Sequence, residues 1–264
     1  MKSPNIDLVE MKLNKFEKKE GKTQANNDAK QAEISFQDVF DAAEIFEEDP
    51  RARSNDWLLA RRFVDWKNLH NLSTTEIIER VIKFLDSWGC YLYTERENWP
   101  RMAEKIKEAY KKSIPFLNAL QDETLEDLDL DRKRNVEGKE YTNKEILNEV
   151  FLNLSRVGYK FRGVAASKVL SLINPKLFMI WDQSICKSYG IRAHSEPHLR
   201  DRQYASEFLP IMRQKANDVI ESCMIERRCS RKDAIEAINS FRKDRPLAKL
   251  LDEYNWITYY VDSH

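Results

Sequence analysis

The most regular hydrophobic pattern in the chain is "STTEIIERVIKFLDSWG", residues 73–89. Ile77, Ile78, Val81, Ile82, Leu85 and Trp88 recur at the spacing of one helical face. Ser73 and Glu76 stand three apart as a capping box, and Gly89 supplies the stop. The same pattern returns in "TNKEILNEVFLNL". There Thr142 pairs with Glu145 ahead of a buried face of Ile146, Leu147, Val150, Phe151 and Leu154. A third cap, Ser230 with Asp233, opens "SRKDAIEAINSF".

Weaker stripes predict helices around Phe36, Val39, Phe40, Ile45 and Phe46, and around Trp57, Leu58, Phe63, Val64 and Trp66, the latter capped by Asn55 or Asp56. Pro100 suits the first turn of a helix over 99–111, and Pro115 then breaks the pattern. A short helix follows residue 182 to about 189, a long one runs around 202–224, and Pro246 opens the last. The terminal "DEYNWITYYV" is aromatic enough to pack back onto the body. Strand-like alternation is scarce, only six glycines occur, and no repeat or long heptad seam is present. The expected fold is therefore an all-α, multi-helix domain over 34–264, with room for two helical subdomains around a cleft. Residues 1–33 are polar and lysine-rich and read as a disordered or weakly helical tail. Residues 121–140, dense in charge of both signs, read as an exposed loop or a solvated helix.

Composition changes this picture in three places. Lys and Arg balance Asp and Glu at 44 each, so overall charge argues for no nucleic-acid partner. No apolar run is long enough to span a membrane, and the first residues lack the apolar core of a secretory signal. Both point to a cytoplasmic protein. Cys90, Cys186, Cys223 and Cys229 form no C-x-x-C pair, so they predict four reduced thiols rather than a metal centre, and no cofactor is expected.

Locally the charge is far from neutral. Between residues 150 and 200, Arg156, Lys160, Arg162, Lys168, Lys176, Lys187, Arg192 and Arg200 face only Asp182 and Glu196. A surface of this kind binds phosphates in a salt-dependent way. The alternative is a solvated helical face of uneven charge. Inside the basic stretch lies "KVLSLINPKLFMIWDQSICKSYG", residues 168–190, where five apolar residues run directly into Asp182. Asp182 is well placed as the N-cap of the short helix that follows, accepting from the amides of Ser184 or Ile185.

The order of features from Leu154 to Gly190 resembles the helix–hairpin–helix DNA glycosylase superfamily, in particular its 8-oxoguanine glycosylase-like branch. The features are Gly158 and Gly163, the "AASKVL" helix, "INPKLFMIWD" and the capping Asp182. The resemblance implies a DNA-binding repair enzyme that cleaves the bond between a damaged or modified base and its sugar. It gives Asp182 the stabilisation of an oxocarbenium-like sugar. It makes Lys168 or Lys160 the candidate for a Schiff-base nucleophile. It sets Arg156, Lys160, Arg162, Lys176 and Lys187 near phosphates. Trp181 is then a candidate to stack on an extruded base, or else a core anchor. One departure stands out: Gly158 and Gly163 are five apart where the family's hairpin glycines are two apart, so an altered or lost hairpin is expected.

Two other classes stay open. One is a noncatalytic helical nucleic-acid-binding or interaction protein in which Asp182 is only a cap. The other is a helical ribonuclease using Arg192 with His198, against which Pro197 interrupts the helix such a site needs. His194 lies in the same loop, and His70 and His264 have no neighbours of matching chemistry.

Overall fold

The computed structural model describes residues 33–49, 51–52, 54–64, 69–90, 92–158, 161–192, 194 and 197–260. The N-terminal tail assigned to 1–33 lies outside the described residues apart from Glu33, as do Lys160 and His264.

The fold is all-α. Capping boxes open four of its helices. Ser35 with Asp38 starts α1 (Phe36–Glu48), and Ser73 with Glu76 starts the helical turn Thr74–Ile77. Thr142 with Glu145 starts α5 (Asn143–Ser155), and Ser230 with Asp233 starts α10 (Arg231–Phe241). In each, the N-cap hydroxyl and the acid three residues on satisfy each other's backbone amides, worth about 1 kcal/mol per cap. Helix α2 spans Ser54–Phe63. Helix α3 runs through Thr74–Ile77, a π-helical segment Ile78–Ile82 and Lys83–Leu85. A kink at Trp88 and Gly89, with Gly89 at φ 77°, closes it.

Helix α4 (Trp99–Ala119) starts with Pro100 in its first turn and continues through Pro115, where the sequence predicted a break. The proline removes one hydrogen bond, to the carbonyl of Lys111. Lys111 is exposed, so water can take that carbonyl's bond, and the buried face of Ala109, Tyr110, Ser113 and Leu117 keeps the helix intact.

The charged segment 121–140 departs from expectation in its second half. It forms β1 (Lys133–Val136) and β2 (Lys139–Thr142), an antiparallel hairpin. Glu137 and Gly138 both have positive φ, which suits a tight two-residue turn, and Asn135 Oδ1 accepts from the Gly138 amide at 2.9 Å. Glu123, 4% exposed, anchors it by accepting from Arg132 and Arg134.

Helix α5 sits between α4 and α6 (Gly163–Ile173) and packs on both. Helix α7 is Gln183–Ser188 and α8 is Pro197–Gln203. A π-helical segment, Tyr204–Phe208, leads into α9 (Leu209–Arg227). Pro197 opens α8 instead of interrupting it. Helix α11 (Leu247–Asn255), with Pro246 at its N-cap, packs on α1 and α9 and leads into the π-helical segment Trp256–Tyr260. One connected apolar core extends from Ile34 to Ile257. It includes stacked pairs Phe40–Phe241 and Phe151–Tyr204, the latter with centroids 4.2 Å apart. Burial of each large apolar side chain contributes about 1.5–3 kcal/mol, the main force holding the layers together. No described helix is long and apolar enough to cross a membrane.

Candidate functional site

Helices α5 and α6 are joined by a tight turn. The Phe161 amide donates to the Gly158 carbonyl at 3.0 Å, and the two residues form an antiparallel bridge. Gly158 has φ 96°, a conformation that L side chains rarely adopt, so the turn depends on this glycine. Where an altered or lost hairpin is expected, Gly158 and Phe161 are bridged, and the fully buried Phe161 anchors the bridge inward. Gly163 is constrained by packing instead. A Cβ there would meet Phe151 Cζ at 3.3 Å and Asp201 Oδ1 at 3.4 Å. Asp201 also accepts from Ser155 Oγ at 2.8 Å, so a carboxylate of α8 sits beside the first turn of α6. That end of a helix favours negative charge.

After α6 the chain turns at Asn174, whose carbonyl accepts from Leu177 and Phe178. It then runs as a non-helical strap into Asp182. Leu177, Phe178, Met179, Ile180 and Trp181 are all buried, which accounts for the unbroken apolar run. A buried strap cannot leave its backbone unpaired, and three side chains from three elements supply the partners. Tyr204 OH donates to the Met179 carbonyl at 2.9 Å. The Ile180 amide donates to Asp252 Oδ1 of α11 at 2.9 Å. The Trp181 amide donates to Ser167 Oγ of α6 at 2.9 Å. Delivered this way, half-buried Asp182 caps α7 by accepting from the Ser184 amide at 2.8 Å.

Lys168 follows Ser167 on α6 and is 7% exposed. Its Nζ donates to the Trp88 carbonyl at the α3 kink, lies 5.8 Å from the Trp88 ring centroid and is 3.9 Å from Cys90 Sγ. Burial raises the Cys90 thiol above its usual range. Lys168 opposes this, while the charges of Asp86 and Asp182 add to it. Burial also pushes the Cys186 thiol far up, with Asp182 and Glu207 contributing. Lys168 and Asp182, from different elements, therefore act on the same thiol.

Behind Lys168 lies a second, buried layer of charge. Burial raises Asp252 to about 7, against the opposing influence of Lys249, the Ile180 hydrogen bond and Lys168. Lys249 Nζ pairs with Glu253 at 3.3 Å and lies 4.8, 5.3 and 5.5 Å from the ring centroids of Phe46, Trp57 and Trp88. Arg245 reaches Glu253 from the other side at 3.4 Å. Burial raises Glu253 as well, with Lys249 and Arg245 opposing. Sequence reasoning assigned no site role to Asp252, Lys249, Trp88 or Cys90. A usable signal existed: "LAKLLDEYN" sets Lys249, Asp252 and Glu253 among Leu247, Ala248, Leu250, Leu251 and Tyr254, and the structure buries every position of that helix.

The remaining predicted residues take several places. Arg156 follows α5, Arg162 precedes α6, Lys176 lies in the turn before the strap and Lys187 sits in the last turn of α7; all four are exposed. Trp181 is a core anchor. It is 7% exposed and meets Phe151, Tyr204 and Phe208 edge-on at centroid distances of 6.5, 5.9 and 5.4 Å, which leaves no open face for a base to stack on. Arg192 and His194 are exposed, and Gln203 ties their loop to α8 through the Arg192 carbonyl and the His194 amide. The side chain of His198 is not among those described. His70 lies against Tyr110. Among the described residues, no three His, Cys, Asp or Glu side chains gather as a metal site would need. Comparison with protein-family models, curated proteins and solved structures found no match to this chain.

Proposed function

We propose that the protein is a cytoplasmic DNA-binding glycosylase-like enzyme that cleaves the bond between a modified or damaged base and its sugar. The observation that carries the reading is the placement of Asp182. A closed α5–α6 hairpin, a strap braced at three backbone positions and a helix cap hold one half-buried carboxylate in a fixed direction, in a segment otherwise rich in exposed cations. A fixed carboxylate beside a sugar stabilises the positive charge that develops at the anomeric carbon as the base departs. It also orients or deprotonates an attacking water. Exposed Arg156, Arg162, Lys176 and Lys187 supply phosphate contacts to a DNA backbone.

Lys168 fits this reading best as a positioning residue. Its Nζ is engaged by the Trp88 carbonyl, and its charge faces Cys90 and Asp252. A nucleophilic role would require that hydrogen bond to break, so the favoured chemistry is water attack at the sugar without a covalent lysine intermediate.

The test is base release from duplexes carrying single oxidised, alkylated or deaminated bases, with binding measured in parallel. Base release from at least one duplex, lost in Asp182→Asn while duplex affinity persists, supports the assignment. Release unchanged in Asp182→Asn, or salt-sensitive binding with no release from any duplex, refutes it. The second outcome favours the noncatalytic binding protein, a reading that the ordinary capping geometry of Asp182 also supports. Borohydride trapping of the chain on DNA, lost in Lys168→Gln, would reverse the assignment of Lys168.

A further inference from the structure

Helix α9 ends in a left-handed turn. Arg228 has φ 51° and ψ 47°, and the amides of Arg228 and Cys229 both donate to the Met224 carbonyl, that of Cys229 at 3.2 Å. This Schellman-type closure regularly presses the side chain just beyond the turn against one in the last turn of the helix, usually as an apolar contact. Here the two side chains are Cys229 and Cys223. Cys229 Sγ is 4.0 Å from the Cys223 carbonyl oxygen, which sets the two cysteines side by side at the helix end. Both are free thiols. They differ in access, since Cys223 is sealed in the core while Cys229 is half-buried.

We propose that Cys223 and Cys229 form a thiol–disulfide exchange site for small-molecule disulfides, with Cys229 attacking and Cys223 resolving. The Cys229 thiol gives up its proton, and its sulfur attacks one sulfur of the incoming disulfide. That S–S bond breaks, one small thiol leaves with the electron pair and takes a proton, and a mixed disulfide remains on Cys229. Cys223 then loses its proton, attacks Cys229 Sγ and expels the second small thiol. Two protein thiols are oxidised and one disulfide is reduced to two thiols, so no other oxidant is needed.

The order of attack follows from access and environment. Of the two residues, only Cys229 has exposure to solvent. Burial holds the Cys223 thiol above its usual range, with Arg227 opposing, which makes it a poor first nucleophile. Once Cys229 carries the mixed disulfide, the second step is intramolecular between groups the helix cap already holds together. The site is independent of Asp182. It lies where the Phe36 amide donates to Ser222 Oγ at 3.4 Å and the Arg227 guanidinium sits 5.3 Å from the Phe36 ring centroid. A closed disulfide therefore pins the α9–α10 corner on which the start of α1 rests.

The experiment incubates the folded full chain with excess oxidised glutathione, alkylates the remaining thiols under denaturing conditions and digests with trypsin. Arg227 and Arg228 lie between the two cysteines, so cleavage places them on separate peptides. The expected result is a chain lighter by two hydrogens and a two-chain peptide joining Cys223 to Cys229, with Cys90 and Cys186 recovered alkylated. Cys223→Ser should hold glutathione stably on Cys229, and Cys229→Ser should leave Cys223 unreacted. A glutathione adduct that persists on Cys229 in the unaltered chain, or recovery of both cysteines in alkylated form, overturns the proposal. The unaltered chain decides the question even where a variant fails to fold.

Discussion

Asp252→Asn should stabilise the protein, and the gain should grow with pH. Asp252 is fully enclosed on α11, and burial raises it from 3.8 to about 7 even though Lys249, Lys168 and the Ile180 amide all favour its charged form. A carboxyl raised in the folded state makes folding take up a proton between the unfolded and folded values. Stability is therefore greatest below pH 4, falls as pH rises from about 4 to 7, and is level above that. The span corresponds to about 4 kcal/mol at 1.36 kcal/mol per unit. Asparagine resembles the neutral acid. It keeps an oxygen for the Ile180 amide and places its NH2 where Asp252 Oδ2, which has no hydrogen-bond partner, now lies. The variant's advantage should thus be about 3 kcal/mol larger at pH 8 than at pH 5. Urea unfolding of both proteins at the two pH values, followed by tryptophan fluorescence, measures this. Taking the difference between variant and wild type cancels the titrating groups that do not interact with Asp252. An advantage equal at both pH values, or a variant weaker at pH 8, would show that the lysines and not burial dominate Asp252.

Other outcomes follow from the same geometry. Gly158→Ala should cost about 1–2 kcal/mol of thermal stability from backbone strain alone, since its φ is 96° and the nearest atom to an added Cβ, Lys105 Nζ, is 3.7 Å away. Ser167→Ala should cost about 1–3 kcal/mol in chemical denaturation, because it leaves the buried Trp181 amide without its acceptor. If DNA is the partner, Arg162→Gln and Lys187→Gln should each weaken duplex binding uniformly across sequences and reduce the slope of log affinity against log salt by about one. Both side chains are exposed, so melting temperature should stay close to wild type.

The all-α architecture was legible wherever caps and helical periodicity agreed, as at Ser73, Thr142 and Ser230. In those places local chemistry alone decides where a helix starts. Pro115 misled because the penalty for proline in a helix depends on whether the freed carbonyl reaches water, which is a tertiary fact. The β1–β2 hairpin was hidden because its turn, Glu137-Gly138, carries a weaker signal than Asn-Gly, and its strands carry charge on both faces. Asp182 was readable as a cap from the residues around it. The groups that brace it were not, since Ser167, Tyr204 and Asp252 meet the strap only after α6, the π-helical segment Tyr204–Phe208 and α11 have packed. Lys168 was picked out by chemistry, but its burial against Trp88 depends on a kink eighty residues earlier in the chain.

The three braces on the strap also bear on how far this region can be treated as a module. Ser167 precedes it and Tyr204 and Asp252 follow it, so the backbone leading to Asp182 is held by contributions from most of the C-terminal half of the chain. A transplant of residues 163–190 into another helical scaffold would carry the acid and its own cap but only one of the three struts. The grafted carboxylate would then wander, and any shortening of the chain that sheds α11 would loosen the same point from a distance.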